Sequence, residues 1–133
     1  MDDLNPGKSM ADYLEAIYVI RERQGYCLST DVTKYLSYSK SSVFSAVKKL
    51  EESGYIQMDR RDIVLTPAGQ EIAERIHRRY YAIKALLESV GVPAEIAERD
   101  ASTLKHGLSE ISCEKLCETL LGSDAAVPEA ALT

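Results

Sequence analysis

The feature that most constrains this chain is the run 37–65, where a short polar turn, an amphipathic segment and two β-prone runs follow one another without a spacer. Val43, Ala46, Val47 and Leu50 recur at i, i+3, i+4 and i+7, the spacing of one helical face. Ser39 and Ser42 offer N-cap oxygens for a helix beginning near Lys40. The opposite face carries Lys40, Ser41, Ser45, Lys48 and Lys49. Short hydroxyls at the start can reach base edges and the later lysines can meet phosphates, which suits a helix lying in a DNA major groove. Gly54 stops this helix, and residues 55–58 and 63–65 read as strands around the polar turn Asp59-Arg60-Arg61-Asp62. A hairpin with Arg60 and Arg61 at its tip, set beside such a helix, reads as a wing that reaches backbone or minor groove. A surface helix or a solvated arginine pair would explain either piece alone. Their succession favours DNA.

Upstream, residues 1–8 read as a flexible lead-in and a helix is predicted from Ser9 to about Gln24, ended by Gly25. Met10, Tyr13, Leu14, Ile17 and Tyr18 form its apolar face. Asp12 and Glu15, at i, i+3, point the other way and read on composition as a solvated face. Ser29 or Thr30 is expected to cap a second helix through Leu36, with Val32, Tyr35 and Leu36 inward. A tight turn at Ser37-Tyr38 joins it to the third, which makes a helix-turn-helix.

Downstream, Thr66-Pro67 caps and opens a long helix on which Ile72, Ile76, Tyr80, Ile83, Leu87 and Val90 form a seam up to Gly91. Pro93 opens another helix with the stripe Ala97, Ala101, Leu104 and Leu108, and Ser102, Lys105 and His106 share an adjacent face. Ser112 is expected to cap a last helix to Leu121, ended by Gly122. This apolar stripe exceeds what a small winged helix covers, and a two-fold dimer would bury it while matching a palindromic site. The predicted fold is mainly α: an N-terminal winged helix-turn-helix with a two-stranded wing over 1–70, a helical dimerisation domain over 71–122, and a disordered tail over 123–133.

With 133 residues the chain makes one domain, or a small domain with an appended lobe, and an apolar fraction of 45% is enough for a core. The net charge of −5 argues mildly against nucleic acid, yet its distribution is uneven. Lys34, Lys40, Lys48, Lys49, Arg60 and Arg61 outnumber Glu51, Glu52 and Asp59 in the middle of the chain, and the acidic excess lies mostly in the C-terminal half. No apolar run approaches the ~20 residues that span a bilayer, and the acidic start lacks the layout of a signal peptide. Cys27, Cys113 and Cys117 are odd in number and form no disulfide framework, so a cytoplasmic protein with reduced thiols is expected. No Ser/His/Asp grouping, phosphate loop or cofactor motif points to an enzyme.

Residues 9–18, Ser41-Ser42-Val43, Val64-Leu65-Thr66-Pro67-Ala68-Gly69 and His106-Gly107-Leu108-Ser109, in that order and spacing, resemble the diphtheria-toxin-repressor and manganese-transport-regulator family of metal-dependent repressors. The likeness runs from about Ser9 to Leu121 and is to the short, two-domain members. It implies a homodimeric transcriptional regulator, a repressor of metal uptake, whose Mn²⁺ or Fe²⁺ sites favour the arrangement that fits double-stranded DNA. The candidate DNA-contacting residues, chosen from their chemistry and position, are Ser39, Lys40, Ser41, Ser42, Ser45, Lys48 and Lys49 on the third helix and Arg60 and Arg61 on the wing.

The ligand set transfers only in part. The first-helix carboxylates are present as Asp12 and Glu15, and the closing His as His106. Where the family places a His on the long helix this chain has Tyr80, and Ser102 and Lys105 stand for a Glu or Cys and a Glu. Asp12, Glu15 and His106 alone make a degenerate site that would hold a metal weakly and suits Mn²⁺ or Mg²⁺ over Zn²⁺. Three readings follow. Lys105 substitutes for the metal and the regulator works with no metal at all; or the ligand set is rearranged, recruiting His77 or the i, i+4 pair Cys113 and Cys117; or the chain is a dimeric interaction module that no longer binds DNA.

Overall fold

The computed structural model describes residues 6–121. The chain forms two compact units, the first ending at Glu74 and the second beginning at Arg75.

In the first unit α1 (Pro6–Gln24) starts earlier than Ser9, so the last residues of the expected lead-in are helical. Proline suits this position, because its missing N–H would have no helical partner in the first turn. Residues 1–5 lie outside the described residues. Every residue from Tyr13 to Ile20 is buried, which overturns the expectation of a solvated acidic face: Glu15 is only 7% exposed and Asp12 is half-buried. A helix covered all round is the central element of its domain, not an amphipathic surface helix. Leu14, Ile17 and Val19 pack with Val32, Val43, Val47, Leu50, Ile56 and Ile63 in one core.

α2 (Ser29–Leu36) is capped at Leu28 and not by Ser29 or Thr30. The Asp31 carboxylate accepts the Leu28 N–H at 2.9 Å, and a charged acceptor at that position outcompetes a hydroxyl. Tyr35 faces outward, 44% exposed, beneath the Arg23 guanidinium at 5.8 Å; the inward residues are Val32 and, partly, Leu36. Ser37 closes the turn with a positive φ of 58°. α3 (Lys40–Glu52) then begins as expected, with Ser39 Oγ accepting the Ser42 N–H at 3.1 Å, and buries Val43, Val47 and Leu50.

β1 (Ile56–Asp59) and β2 (Asp62–Leu65) pair antiparallel, Ile56 opposite Leu65 and Asp59 opposite Asp62, leaving Arg60 and Arg61 as the turn. Ile56 and Ile63 face the core. Asp62 Oδ1 accepts from Arg21 at 2.6 Å and from the Cys27 N–H at 2.9 Å, while the Ile63 N–H donates to the Cys27 carbonyl at 2.8 Å. The hairpin is thereby tied to the end of α1 and to the strand-like segment after it.

α4 (Pro67–Ser89) opens with Thr66, whose Oγ1 accepts the Gly69 N–H at 3.2 Å and donates to the Gly54 carbonyl at 2.7 Å. Its first turn presses on the wing so closely that a Cβ at Gly69 would overlap the Tyr55 carbonyl oxygen. The second unit holds the rest of α4, α5 (Ala94–Leu104) and α6 (Glu110–Leu121). Ile76, Ala82, Ile83, Ala97 and Ala101 are buried. The expected seam loses Val90, which follows the helix end and is 71% exposed, and the α5 stripe loses Leu104, 38% exposed, and Leu108, beyond the helix. Ser109, not Ser112, caps α6, its Oγ accepting the Ser112 N–H at 3.2 Å. Gly122 and the expected tail, 123–133, lie outside the described residues.

Two outcomes are expected from these contacts. Asp62→Ala strands the Cys27 amide and the Arg21 guanidinium and should cost about 2 kcal/mol in urea denaturation. The Cys27 amide, helped by Arg21, holds the Asp62 carboxyl below its ordinary value, against the opposing effect of burial. A depressed folded pKa gives stability that is complete above the unfolded value, near 4, and is lost as pH falls through the folded one. The gap between wild type and Asp62→Ala should therefore be constant at neutral pH and shrink below about pH 4. Gly69→Ala should lower stability by roughly 1–3 kcal/mol, since backbone must shift to admit the methyl.

Candidate nucleic-acid interface and metal centre

The outer surface of α3 presents the residues that the sequence singled out. Ser39, Lys40, Ser41, Ser42, Ser45, Lys48 and Lys49 are all exposed, and so are Arg60 and Arg61 at the tip of the hairpin. Their hydroxyls are organised: Ser39 Oγ lies 2.9 Å from Ser42 Oγ and 3.3 Å from Ser41 Oγ. Ser39 and Ser42 are thus engaged in capping, whereas Ser45 stands further along the open face. The core side of the same helix holds it rigidly, because Val43, Val47 and Leu50 are sealed beneath it. The arrangement offers short polar groups and mobile cations on a fixed rod, as groove binding requires. At the wing tip Arg60 adopts a positive φ of 60°, which sets the direction of the two guanidinium-bearing side chains.

Reading the sequence missed Phe44. It lies on α3 between Ser41 and Ser45 and is 70% exposed. The available signal was its spacing: as the sole phenylalanine of the chain it falls outside the i, i+3, i+4, i+7 set that builds the core face.

In the second unit the substituted ligand positions meet each other. The Lys105 ammonium sits 5.7 Å from the centroid of the Tyr80 ring, a cation–π contact, and His77 stacks on the same ring at 6.0 Å with an interplanar angle of 21°. His77 and Lys105 are both buried, at 3% and 8% exposure. Ser102, expected to share a face with Lys105, is exposed instead. α5 ends at Leu104, and the final turn, closed by the Lys105 N–H donating to the Ala101 carbonyl at 3.0 Å, takes Lys105 into the interior while Ser102 stays outside. His106 is half-buried.

Among the described residues no group of three or more His, Cys, Asp and Glu side chains is gathered in a way that holds a metal ion. A phenol, a hydroxyl and an ammonium stand where the resemblance expects imidazole and carboxylate or thiolate donors, and an ammonium repels a divalent ion. The donor set of this chain does not fit the family's metal. Cys113 and Cys117, the other candidate ligands, are buried on α6. Burial pushes the Cys117 thiol up, against the pull of Arg78 and Arg79.

The comparisons with known proteins agree with this architecture. A family profile described as iron dependent repressor, N-terminal DNA binding domain, matches residues 7–62, and one described as iron dependent repressor, metal binding and dimerisation domain, matches residues 66–123. The HTH-type transcriptional regulator MntR of Geobacillus kaustophilus is 37% identical over 105 residues, 78% of this chain and 74% of that protein. MntR of Bacillus subtilis is 33% identical over 109 residues, 81% of this chain and 77% of that protein. Among solved structures, T. acidophilum IdeR is similar with a TM-score of 0.73 and 25% identity, over 92% of this chain but only 61% of its own length, so this chain spans less than two thirds of it. No helix of the described residues is long and apolar enough to cross a membrane. Two consecutive domain matches over almost the whole chain, on a winged helix followed by a helical unit, show that it belongs to the iron-dependent repressor family of DNA-binding transcriptional regulators and is not an enzyme.

Proposed function

We propose that this chain is a cytoplasmic repressor that binds operator DNA as a homodimer without requiring a divalent ion, Lys105 supplying the positive charge that the family's metal-binding domain takes from a metal. The observation that carries this reading is the contact between Lys105 and Tyr80, two positions where the resemblance expects ligands and where a cation and a ring face now satisfy each other. An ammonium about 5 Å from a divalent ion opposes it by roughly 7 kcal/mol at an effective dielectric near 20.

On the DNA, Lys40, Lys48 and Lys49 are assigned to phosphates, Ser39, Ser41, Ser42 and Ser45 to the groove edge, and Arg60 and Arg61 to the backbone or minor groove beside it. Exposure of all nine supports the assignment. In the second unit Leu86, Leu108, Ile111, Leu116 and Leu120 line an open apolar cleft, with Ile111 64% exposed, which supports burial against a second copy.

Thermal denaturation of chelator-treated protein with Mn²⁺, Fe²⁺, Zn²⁺, Co²⁺ or Mg²⁺ tests the metal reading. No shift is expected, and DNA binding should survive chelation. A metal at ~100 times its dissociation constant would instead add about 2.7 kcal/mol, and such a rise with Mn²⁺ or Fe²⁺ would restore metal-gated repression as the mechanism. Lys105→Glu should lower stability in metal-free buffer and create a Mn²⁺ response; unchanged stability with no metal response would remove Lys105 from this role. Lys48→Ala should weaken all duplexes alike and flatten the log–log salt dependence by about 0.9.

A further inference from the structure

Phe44 is the one large apolar side chain on the exposed stripe of α3. It is the sole phenylalanine in the chain and 70% of it faces solvent. Isolated apolar residues on a surface are ordinary, but this one has a particular setting. Ser41, Phe44, Ser45 and Lys48 recur at i, i+3, i+4 and i+7, so the ring shares a stripe with two hydroxyls and an ammonium. Val43 and Val47, its neighbours toward the core, are buried, so the backbone beneath the ring is fixed.

What can this ring meet? A protein partner would need an apolar patch, and the adjoining exposed side chains are serines and lysines. Lys40, Lys48 and Lys49 match phosphates, and charge complementarity selects nucleic acid as the occupant. In the major groove the edges of the base pairs are hydrogen-bonding groups with one apolar exception, the 5-methyl group of thymine. Serine hydroxyls read any edge that accepts or donates and discriminate weakly. An aryl ring among them discriminates strongly, because it gains from a methyl and loses against a bare polar edge.

We propose that Phe44 is a specificity-determining residue that reads the 5-methyl group of thymine in the operator's major groove. The proposal rests on the DNA-binding reading above and adds the chemistry by which that surface tells one base pair from another. Serine and lysine position and tune; Phe44 selects.

Uracil tests it, because deoxyuridine pairs as thymidine does and lacks only the methyl. Duplexes enriched from a random library by the full-length chain supply the probe, and each thymine of the enriched site is replaced in turn by deoxyuridine. At one or two positions in each half-site the wild type should lose about 4-fold in affinity, the value of one buried methyl group. Phe44→Ala should weaken binding to the thymine duplex and be indifferent to uracil at those same positions, whereas Phe44→Leu should keep part of the discrimination. Both variants should melt as the wild type does, since the ring contributes little to the core. Failure to enrich any duplex would overturn the DNA-binding reading, and this proposal with it. Enrichment of a site at which the wild type ignores uracil everywhere, or at which Phe44→Ala keeps the same uracil profile, would overturn the role of Phe44 alone.

Discussion

The carboxylate of Asp62 joins three parts of the winged domain that the chain supplies far apart. It takes a hydrogen bond from Arg21 near the end of α1, another from the amide of Cys27 in the segment leading to α2, and itself begins β2. A two-stranded hairpin by itself is marginal in water, so a wing needs attachment to the body of its domain. Here the attachment is polar at Asp62 and apolar one residue on, where Ile63 enters the core and its amide reaches the Cys27 carbonyl. The position of Arg60 and Arg61 relative to α3 follows from it. Without that anchor the arginines would be cations on a loose ribbon, and their contribution to binding would be reduced by the entropy of fixing them.

Above the anchor the domain is organised around α1, which the core surrounds. That explains why the helix carries tyrosines, a glutamate and small alanines along a buried length. It also gives Glu15 a different meaning from that of a surface carboxylate, since ionisation in the interior has to be compensated. The second unit shows the complementary change. Lys105, Tyr80 and His77 form a layered contact of ammonium, phenol ring and imidazole. Such a contact is made by covalently attached groups of the chain itself.

Much of this was legible in the residues. The core face of α3, its Ser39 cap, the wing and the Thr66-Pro67 start are local patterns, and each came out where periodicity and turn chemistry placed it. The misses also have physical reasons. The caps of α2 and α6 shifted because several oxygen acceptors lie within one turn, and only geometry decides among them: Asp31 won over Ser29 and Thr30, and Ser109 over Ser112. The burial of Glu15 was invisible because the periodicity of one helix says which face is apolar but not how many neighbours surround it. The substituted ligands Tyr80 and Lys105 could be picked out by spacing, yet their meeting depends on two helices separated by a turn. Phe44 is an oddity on a polar face in the sequence, and its 70% exposure is a property of the fold.

Cys27 lies where the wing joins the body, fully buried, and burial with the nearby Asp31 pushes its thiol up to about 12. The thiol is therefore held protonated at neutral pH, and the ionised form is the one that reacts with alkylating agents and oxidants. The Cys27 amide donates to the Asp62 carboxylate and its carbonyl accepts the Ile63 N–H, so the thiol sits under the hairpin's point of attachment. Labelling of Cys27 therefore reports opening of this part of the domain, as the population of the open form where reclosing outpaces the reagent.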